Sequence, residues 1–209
     1  PTLVSSGTLP GDYYYQDWNG DGVINDADNH PIATYNMPLI NYGFTVGGSW
    51  RGLDLTMNFQ GAAKVYVQYS EVLAGPLQFD GGALTQFLDR WRPVDAGADL
   101  FNPSTQWLAG YYPSTGSAMA EGTRAVQNAS YLRLKTLELG YSLPQQWLKT
   151  LKIKNLRIYA SAYNLLTWTG LKYTDPEHPG SAGGSSSGDI DVYKYPINKT
   201  YNIGASIKF

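Results

Sequence analysis

The chain has 209 residues, 23 Gly, 17 Tyr, no Cys and a formal net charge of −2 at pH 7. This near-neutral charge excludes the basic surface of a nucleic-acid-binding protein, and the absence of cysteine excludes disulfides, thiolate catalysis and zinc–sulfur sites. Charged residues make up only 15% of the sequence, against roughly 25% in an average soluble domain, and no apolar run approaches the ~18 residues of a membrane-spanning helix.

The first motif in chain order is the loop 17–28, which fits the calcium-binding pattern D-x-[DN]-x-[DN]-G with a carboxylate at its last position. The pattern assigns as calcium ligands Asp17, Asn19, Asp21, the carbonyl of Val23, Asn25 through a water, and Asp28. Asp28 stands where Glu is usual, and its shorter side chain makes bidentate ligation harder. The alternative is a turn of Asx and Gly residues that binds no ion.

From Ile40 onward, apolar and polar residues alternate with a period of two, which is typical of strands with two different faces. The alternation predicts strands at 41–50, 54–60, 156–166 and 200–209. Phe44 and Val46 lie on one side of the first strand, whereas Thr45 lies on the other. Arg51 and Gly52 are expected to form the tight turn of a hairpin between the first two strands.

A further strand, from Tyr131 to Tyr141, changes phase in its middle. A β-bulge of one extra residue at Lys135 and Thr136 returns the leucines of this strand to a single face. Ser142 and Gln145 then form an S-x-x-Q capping box, which predicts a short helix after the strand.

The connections between the predicted strands alternate in length. Short connections follow Trp50 and Tyr141, whereas long ones span about 63–128 and 170–196. Strands of about ten residues with short turns at one end and long loops at the other are typical of an outer-membrane β-barrel. Aromatic residues near both ends of the strands fit the girdles of such a barrel. A soluble, calcium-stabilised β-sandwich that binds glycans would show the same alternation and is the alternative.

The sequence offers no catalytic constellation, and we predict no enzyme. The string Gly-Ser-Ser-Ser-Gly at 184–188 matches G-x-S-x-G but lacks the flanking strand and helix of a nucleophile elbow. His30 and His178 lie in polar loops outside any ligand motif. Aromatic residues of the long loops could stack on sugars, bind a partner protein, or fill small cores of their own. They are Tyr66, Tyr69, Phe79, Trp107, Tyr111, Tyr112 and Tyr173.

Several segments, in this order, resemble the C-terminal end of SusC-like (RagA-type) TonB-dependent outer-membrane transporters. They are Pro10-Gly11-Asp12, the loop from Asp17 to Gly22, Tyr42-Gly43-Phe44, the segment from Gly52 to Leu55, Phe59-Gln60-Gly61, Arg90-Trp91, the segment from Ala129 to Lys135, the segment from Leu139 to Pro144, the segment from Asn164 to Thr167, and the terminal Phe209. Because these segments extend over nearly the whole chain, we expect the chain to be a piece of such a transporter.

The resemblance implies an all-β fold whose antiparallel strands are the C-terminal strands of a large, 22-stranded outer-membrane β-barrel with long extracellular loops. It implies that residues 1–39 form an extracellular loop segment with the calcium motif. Residues 40–209 would then hold about five transmembrane strands with two long extracellular loops, at 63–128 and 170–196.

The resemblance further implies import of oligosaccharides or peptides across the outer membrane of a Gram-negative, Bacteroidetes-like cell. The implied partners are a SusD-like surface lipoprotein, the remaining barrel and plug of the same transporter, membrane lipid, and TonB through an N-terminal part that this sequence lacks. Nucleic acid is not among them.

Overall fold

The computed structural model describes residues 8–33, 37–69, 71–77, 82–114, 122–149, 153–177, 189–190 and 196–209. Phe79, His178 and the 184–188 string therefore lie outside the described residues, as do parts of both long loops. The chain divides into two units. Unit 1 comprises Pro1–Thr34, Val67–Gln127 and Gly180–Tyr193, and unit 2 comprises Tyr35–Tyr66, Asn128–Pro179 and Lys194–Phe209.

Strands are the main regular elements of the described chain. They are β1 (Ile40–Trp50), β2 (Leu53–Ala63), β3 (Tyr66–Tyr69), β4 (Arg92–Pro93), β5 (Trp107–Leu108), β6 (Val126–Asn128), β7 (Tyr131–Ser142), β8 (Asn155–Thr169), β9 (Asp189–Ile190) and β10 (Thr200–Lys208). The helices are short: α1 (Glu71–Ala74), α2 (Gln145–Leu148) and 3-10 turns at Asp26–Asp28 and Thr85–Leu88. Within the described ranges, none of the helices has the length and apolarity needed to cross a bilayer.

Unit 2 is built on a five-stranded sheet in the order β1-β2-β7-β8-β10, with every neighbouring pair antiparallel. The predicted hairpin between β1 and β2 is confirmed. Arg51 and Gly52, its two turn residues, have φ angles of 49° and 87°, as a type I′ turn requires. A side chain on Gly52 would also approach the Ser142 carbonyl oxygen, because a Cβ there would lie 2.7 Å from it.

The predicted β-bulge in β7 is confirmed. Asn58 pairs with Thr136 and Phe59 pairs with Leu134, so Lys135 has no partner on β2. The ladder between β7 and β8 shifts at the same place. The extra residue keeps the leucines before and after it on one side of the sheet.

The short helix after β7 is present, but the predicted cap is wrong. The residue that precedes α2 is Pro144, and it makes no side-chain capping hydrogen bond. Ser142 instead ends β7, where its N–H donates to the Gly52 carbonyl at 2.8 Å. Pairing with the neighbouring turn therefore takes precedence over the local capping motif.

Strand register aligns side chains of the same kind across the sheet and gives it two different faces. We call the side that carries Phe44, Phe59 and Leu134 the apolar face, and the side that carries Gln60 and Arg133 the polar face. Many large side chains on the apolar face are exposed, for example Val46 at 47%, Leu139 at 50% and Ile203 at 86%, whereas Leu134 is buried. In the described part of unit 2 this sheet is a single layer.

Unit 1 has a small hydrophobic core of its own. Ala74, Phe87, Tyr112 and Ala125 are buried together, and Tyr13 packs against them. The rings of Phe87 and Tyr112 meet edge to face with centroids 4.7 Å apart, a favourable aromatic geometry.

The two faces predict unequal effects of arginine at neighbouring positions of β1. Val46 lies on the apolar face opposite Met57, and Val46→Arg is expected to lower the free energy of unfolding by about 2–4 kcal/mol if this face meets lipid near the bilayer centre. Thr45 lies on the polar face, where it accepts a hydrogen bond from Asn58 at 3.0 Å. Thr45→Arg is therefore the matched control, with a much smaller expected effect. Urea unfolding of the vesicle-inserted protein measures both, and equal effects would contradict the face assignment.

Candidate functional site

Near the β1–β2 turn, the polar face carries an arginine that joins three strands. Arg157 on β8 donates to both carboxylate oxygens of Asp54 on β2, with the Nε–Oδ1 distance at 3.0 Å, and its Nη2 lies 2.6 Å from Oε1 of Glu138 on β7. The three side chains are about a quarter to a third exposed. They form a bidentate and a single ion pair, the geometry for which the guanidinium group is suited.

Glycines make room for the long side chains of the sheet. A Cβ on Gly140 would overlap the guanidinium of Arg157, and one on Gly204 would meet the ring of Tyr159. On the apolar face, the ring of Tyr42 lies across Gly61, and its hydroxyl donates to the Tyr131 carbonyl at 2.7 Å. Long side chains thus cover the glycine backbone, which stabilises strands that glycine alone would weaken.

A second ion network lies at the other end of the polar face. Arg133 on β7 places Nη1 2.7 Å from Glu177 Oε2 and Nη2 2.7 Å from Asp175 Oδ1. The Nζ atom of Lys135 lies 2.7 Å from the same Glu177 oxygen. Only 2% of Arg133 is exposed, so these are buried charges with partners, as burial of charge demands.

Exposed apolar side chains and buried ion pairs invert the usual arrangement of a soluble protein. A β-sandwich would bury the apolar face against a second sheet, but in the described part of unit 2 many large side chains of that face are exposed, although Leu134 and Ala162 are buried. A sheet of this kind suits a wall with hydrocarbon on one side and water on the other, because strand ladders satisfy the backbone where no water can.

The calcium-type loop in unit 1 is held by hydrogen bonds from backbone N–H groups to its own side chains. The two carboxylate oxygens of Asp17 accept from Gly20 at 2.7 Å and Gly22 at 2.8 Å. The carboxylate of Asp28 accepts from Trp18 at 2.8 Å and from Asn25 at 2.9 Å. Both ends of the loop are therefore closed around carboxylates.

The remaining predicted ligands take part in the same network. Asp21 accepts from the N–H of Val23 at 2.8 Å, and the Asn19 amide lies 3.0 Å from the other Asp21 oxygen. Within the described ranges, no three His, Cys, Asp or Glu side chains are gathered where they could hold a metal ion. The six predicted ligands thus lie in one loop, but the three carboxylates among them are not gathered into a single ligand set, and calcium binding stays a prediction.

The long-loop aromatics do not form a single exposed surface. Tyr69 and Tyr112 are buried at 4% and 5% exposure and fill cores, whereas Tyr111 and Tyr173 are exposed at 47% and 58%. Tyr66 and Trp107 are half-buried. Sequence reasoning missed the two ion networks, although charges at polar positions of β2, β7 and β8 were a visible signal for the members that lie on strands.

Acid is expected to open the calcium-type loop. The backbone N–H of Asn25 holds the pKa of the Asp28 carboxyl below its ordinary value of 3.8. The N–H groups of Asn19 and Trp18 act in the same direction with smaller effects, whereas burial acts to raise the pKa. A lowered pKa contributes stability that is complete above the ordinary value and is lost as the pH falls through the lowered one. Hydrogen exchange of the intact protein measures this opening. The exchange is followed in a proteolytic fragment that covers residues 17–28 and is corrected for the intrinsic pH dependence of exchange.

Two substitutions separate this effect from a general change of charge. Asp28→Asn should speed exchange in the loop already at neutral pH, because the amide group provides one acceptor oxygen where the carboxylate provides two. Asp26→Asn removes a charge from the same 3-10 turn and should leave exchange unchanged. Equal exchange rates in the two variants would contradict the role of Asp28.

No protein-family model matches the chain. A TonB-dependent receptor of Formosa agariphila is 28% identical over 205 residues, which is 93% of this chain and 19% of the receptor. The TonB-dependent receptor SusC of Bacteroides thetaiotaomicron is 26% identical over 199 residues, 93% of this chain and 17% of SusC. The chain therefore spans about a fifth of the length of these relatives.

Solved structures agree with the sequence relatives. The RagAB peptide importer in its open–open state matches 94% of this chain and 20% of its own, with a TM-score of 0.64 and 28% identity. Its closed–closed state matches 96% of this chain with a TM-score of 0.62 and 28% identity. The antiparallel strands are thus strands of an outer-membrane barrel, and the chain is identified as the C-terminal part of a SusC-like (RagA-type) TonB-dependent outer-membrane transporter.

Proposed function

We propose that this chain forms part of the wall of an active transporter in the outer membrane of a Gram-negative, Bacteroidetes-like cell. The transporter imports oligosaccharides or peptides, works with a SusD-like surface lipoprotein and is energised through TonB. The five long strands belong to a barrel of 22 strands, and residues 1–39 and the loops at 63–128 and 170–196 lie outside the cell. The plug and the TonB contact belong to the rest of the transporter.

The observation that carries this proposal is the two-faced single-layer sheet. Its apolar face exposes side chains such as Phe44 and Ile203, which suit hydrocarbon, and its polar face holds paired charges that suit an aqueous passage. The names of the relatives support the rest, since one is SusC and another is a peptide importer. They leave both substrate classes open.

Uptake by cells that express the full-length transporter tests the proposal. We expect accumulation of labelled peptides or labelled oligosaccharides in a wild-type host and a loss of accumulation in a host without TonB. Surface binding should persist in both hosts, because binding precedes the energised step. Accumulation that is equal with and without TonB would contradict active transport, and failure of a SusD-like lipoprotein to co-purify would contradict the partner.

We propose further that the loop 17–28 binds calcium through Asp17, Asn19, Asp21, the Val23 carbonyl, Asn25 and Asp28. Support comes from the order of oxygen-bearing residues and from a loop already closed around two carboxylates. The acidic groups must turn from backbone N–H groups toward the ion, and that rearrangement reduces the affinity. The alternative is that the hydrogen-bonded turn binds no ion.

Titration calorimetry of the chelator-treated transporter with calcium decides between the two. Asp21→Asn is expected to weaken binding on the order of tenfold, because it removes one ligand charge while keeping the shape of the side chain. Asp26→Asn is the matched control, since position 26 is not a predicted ligand. Absence of heat at millimolar calcium would reject the calcium site.

A further inference from the structure

The segment that follows β8 is fastened onto the polar face of the sheet. We call residues 171–177 the strap. Asp175 and Glu177, at its far end, make the ion pairs with Arg133 and Lys135 of β7. Glu177 also accepts a hydrogen bond from the Tyr131 hydroxyl at 3.0 Å. At its near end, Leu171 is only 6% exposed, so the strap is held at both ends.

Arg133 is the centre of this attachment. Its Nε donates to the Thr167 hydroxyl at 2.8 Å, while its other two nitrogens bind the two strap carboxylates. The side chain is thereby fixed by its own sheet and directed at the strap. Together with Lys135 it balances the two carboxylates, so the network closes without excess charge.

The β-bulge contributes the second cation. Lys135 is the extra residue of β7, without a pairing partner on β2, and its ammonium group reaches the same Glu177 oxygen as Arg133. The strap also binds the chain before β10, because the Ile197 N–H donates to Asp175 at 3.4 Å. The segments that follow β8 and precede β10 are thus joined over the polar face.

We propose that Arg133 locks the strap across the polar face and that the strap sets the width of the passage at the long-loop end. The assignment rests on the proposed function in one respect, namely that the polar face lines the passage. Arg133 is buried and binds two carboxylates at once, one through each terminal nitrogen, so the strap is held rigidly enough to exclude bulky solutes. Arg133 is a positioning residue, because it acts through the strap.

Hydrogen exchange of the full-length transporter in detergent tests the lock. Arg133→Gln is expected to speed exchange of the 171–177 peptide by about tenfold or more, since two buried carboxylates lose their main partner. Arg157→Gln is the matched control: Arg157 lies on the same face and also binds two carboxylates, but both belong to strands. It should leave the strap unchanged. Arg133→Lys keeps the positive charge but loses the planar guanidinium group, and its exchange rate should be intermediate.

Size-selective labelling tests whether the strap limits the width of the passage. The chain has no cysteine. Asn58→Cys places one on the polar face, farther than Arg133 from the end of the sheet where the long loops begin. Any cysteine elsewhere in the transporter is replaced by serine. On intact cells, the rate for a large polyethylene-glycol maleimide is divided by the rate for N-ethylmaleimide. Arg133→Gln should raise this ratio several-fold, and Arg157→Gln should leave it unchanged.

Unchanged exchange of the 171–177 peptide in Arg133→Gln would overturn the lock. Faster exchange with an unchanged labelling ratio would overturn the role of the strap in setting the width. An equal rise of both quantities in Arg157→Gln would show general loosening of the barrel and would also overturn the proposal. Neither measurement uses import, so uptake that is independent of TonB would reject the proposed function without altering these results.

Discussion

The fold of unit 2 depends on side-chain parity. By this we mean that each strand turns its apolar side chains to the same face of the sheet as its neighbours do. A strand turns alternate residues to opposite faces, and a slip of one residue would exchange the two faces completely. Five strands keep the same parity here, so that Val46, Met57 and Leu137 fall in one row. The ladders that fix this parity also satisfy the backbone N–H and C=O groups, which hydrocarbon cannot do.

The irregularities of the sheet serve this constraint. Lys135 is inserted in β7 where the apolar phase would otherwise be lost, and the insertion also supplies a cation to the polar face. The turn at Arg51 and Gly52 has the geometry that matches strand twist and fixes the register of the first hairpin. The bulge and the turn therefore preserve the separation of the apolar and polar faces across the sheet.

Much of this sheet could be predicted from the sequence, because alternation is a local property. The hairpin turn and the bulge at Lys135 both follow from the phase of neighbouring residues. The ion networks could not be predicted in the same way. Arg157 meets Asp54, which lies 103 residues earlier, and the two carboxylates that bind Arg133 lie 44 and 42 residues later. Such pairs depend on strand order and on the path of a loop.

Local motifs were less reliable where tertiary contacts compete with them. The capping box at Ser142 is intact in the sequence, yet the residue pairs with Gly52 and leaves the helix uncapped. The calcium pattern gives the kinds of ligand at 17–28 but not the direction of each carboxylate, which backbone N–H groups determine in this loop.

The glycines beneath long side chains affect how related sequences can diverge. The Arg157 guanidinium fills the space that a side chain on Gly140 would occupy. The ring of Tyr159 fills the corresponding space at Gly204. Neither partner can change size alone without a clash or a void. Evolution at these positions is therefore expected to proceed by paired exchanges, with a larger residue on one strand accompanied by a smaller one on its neighbour.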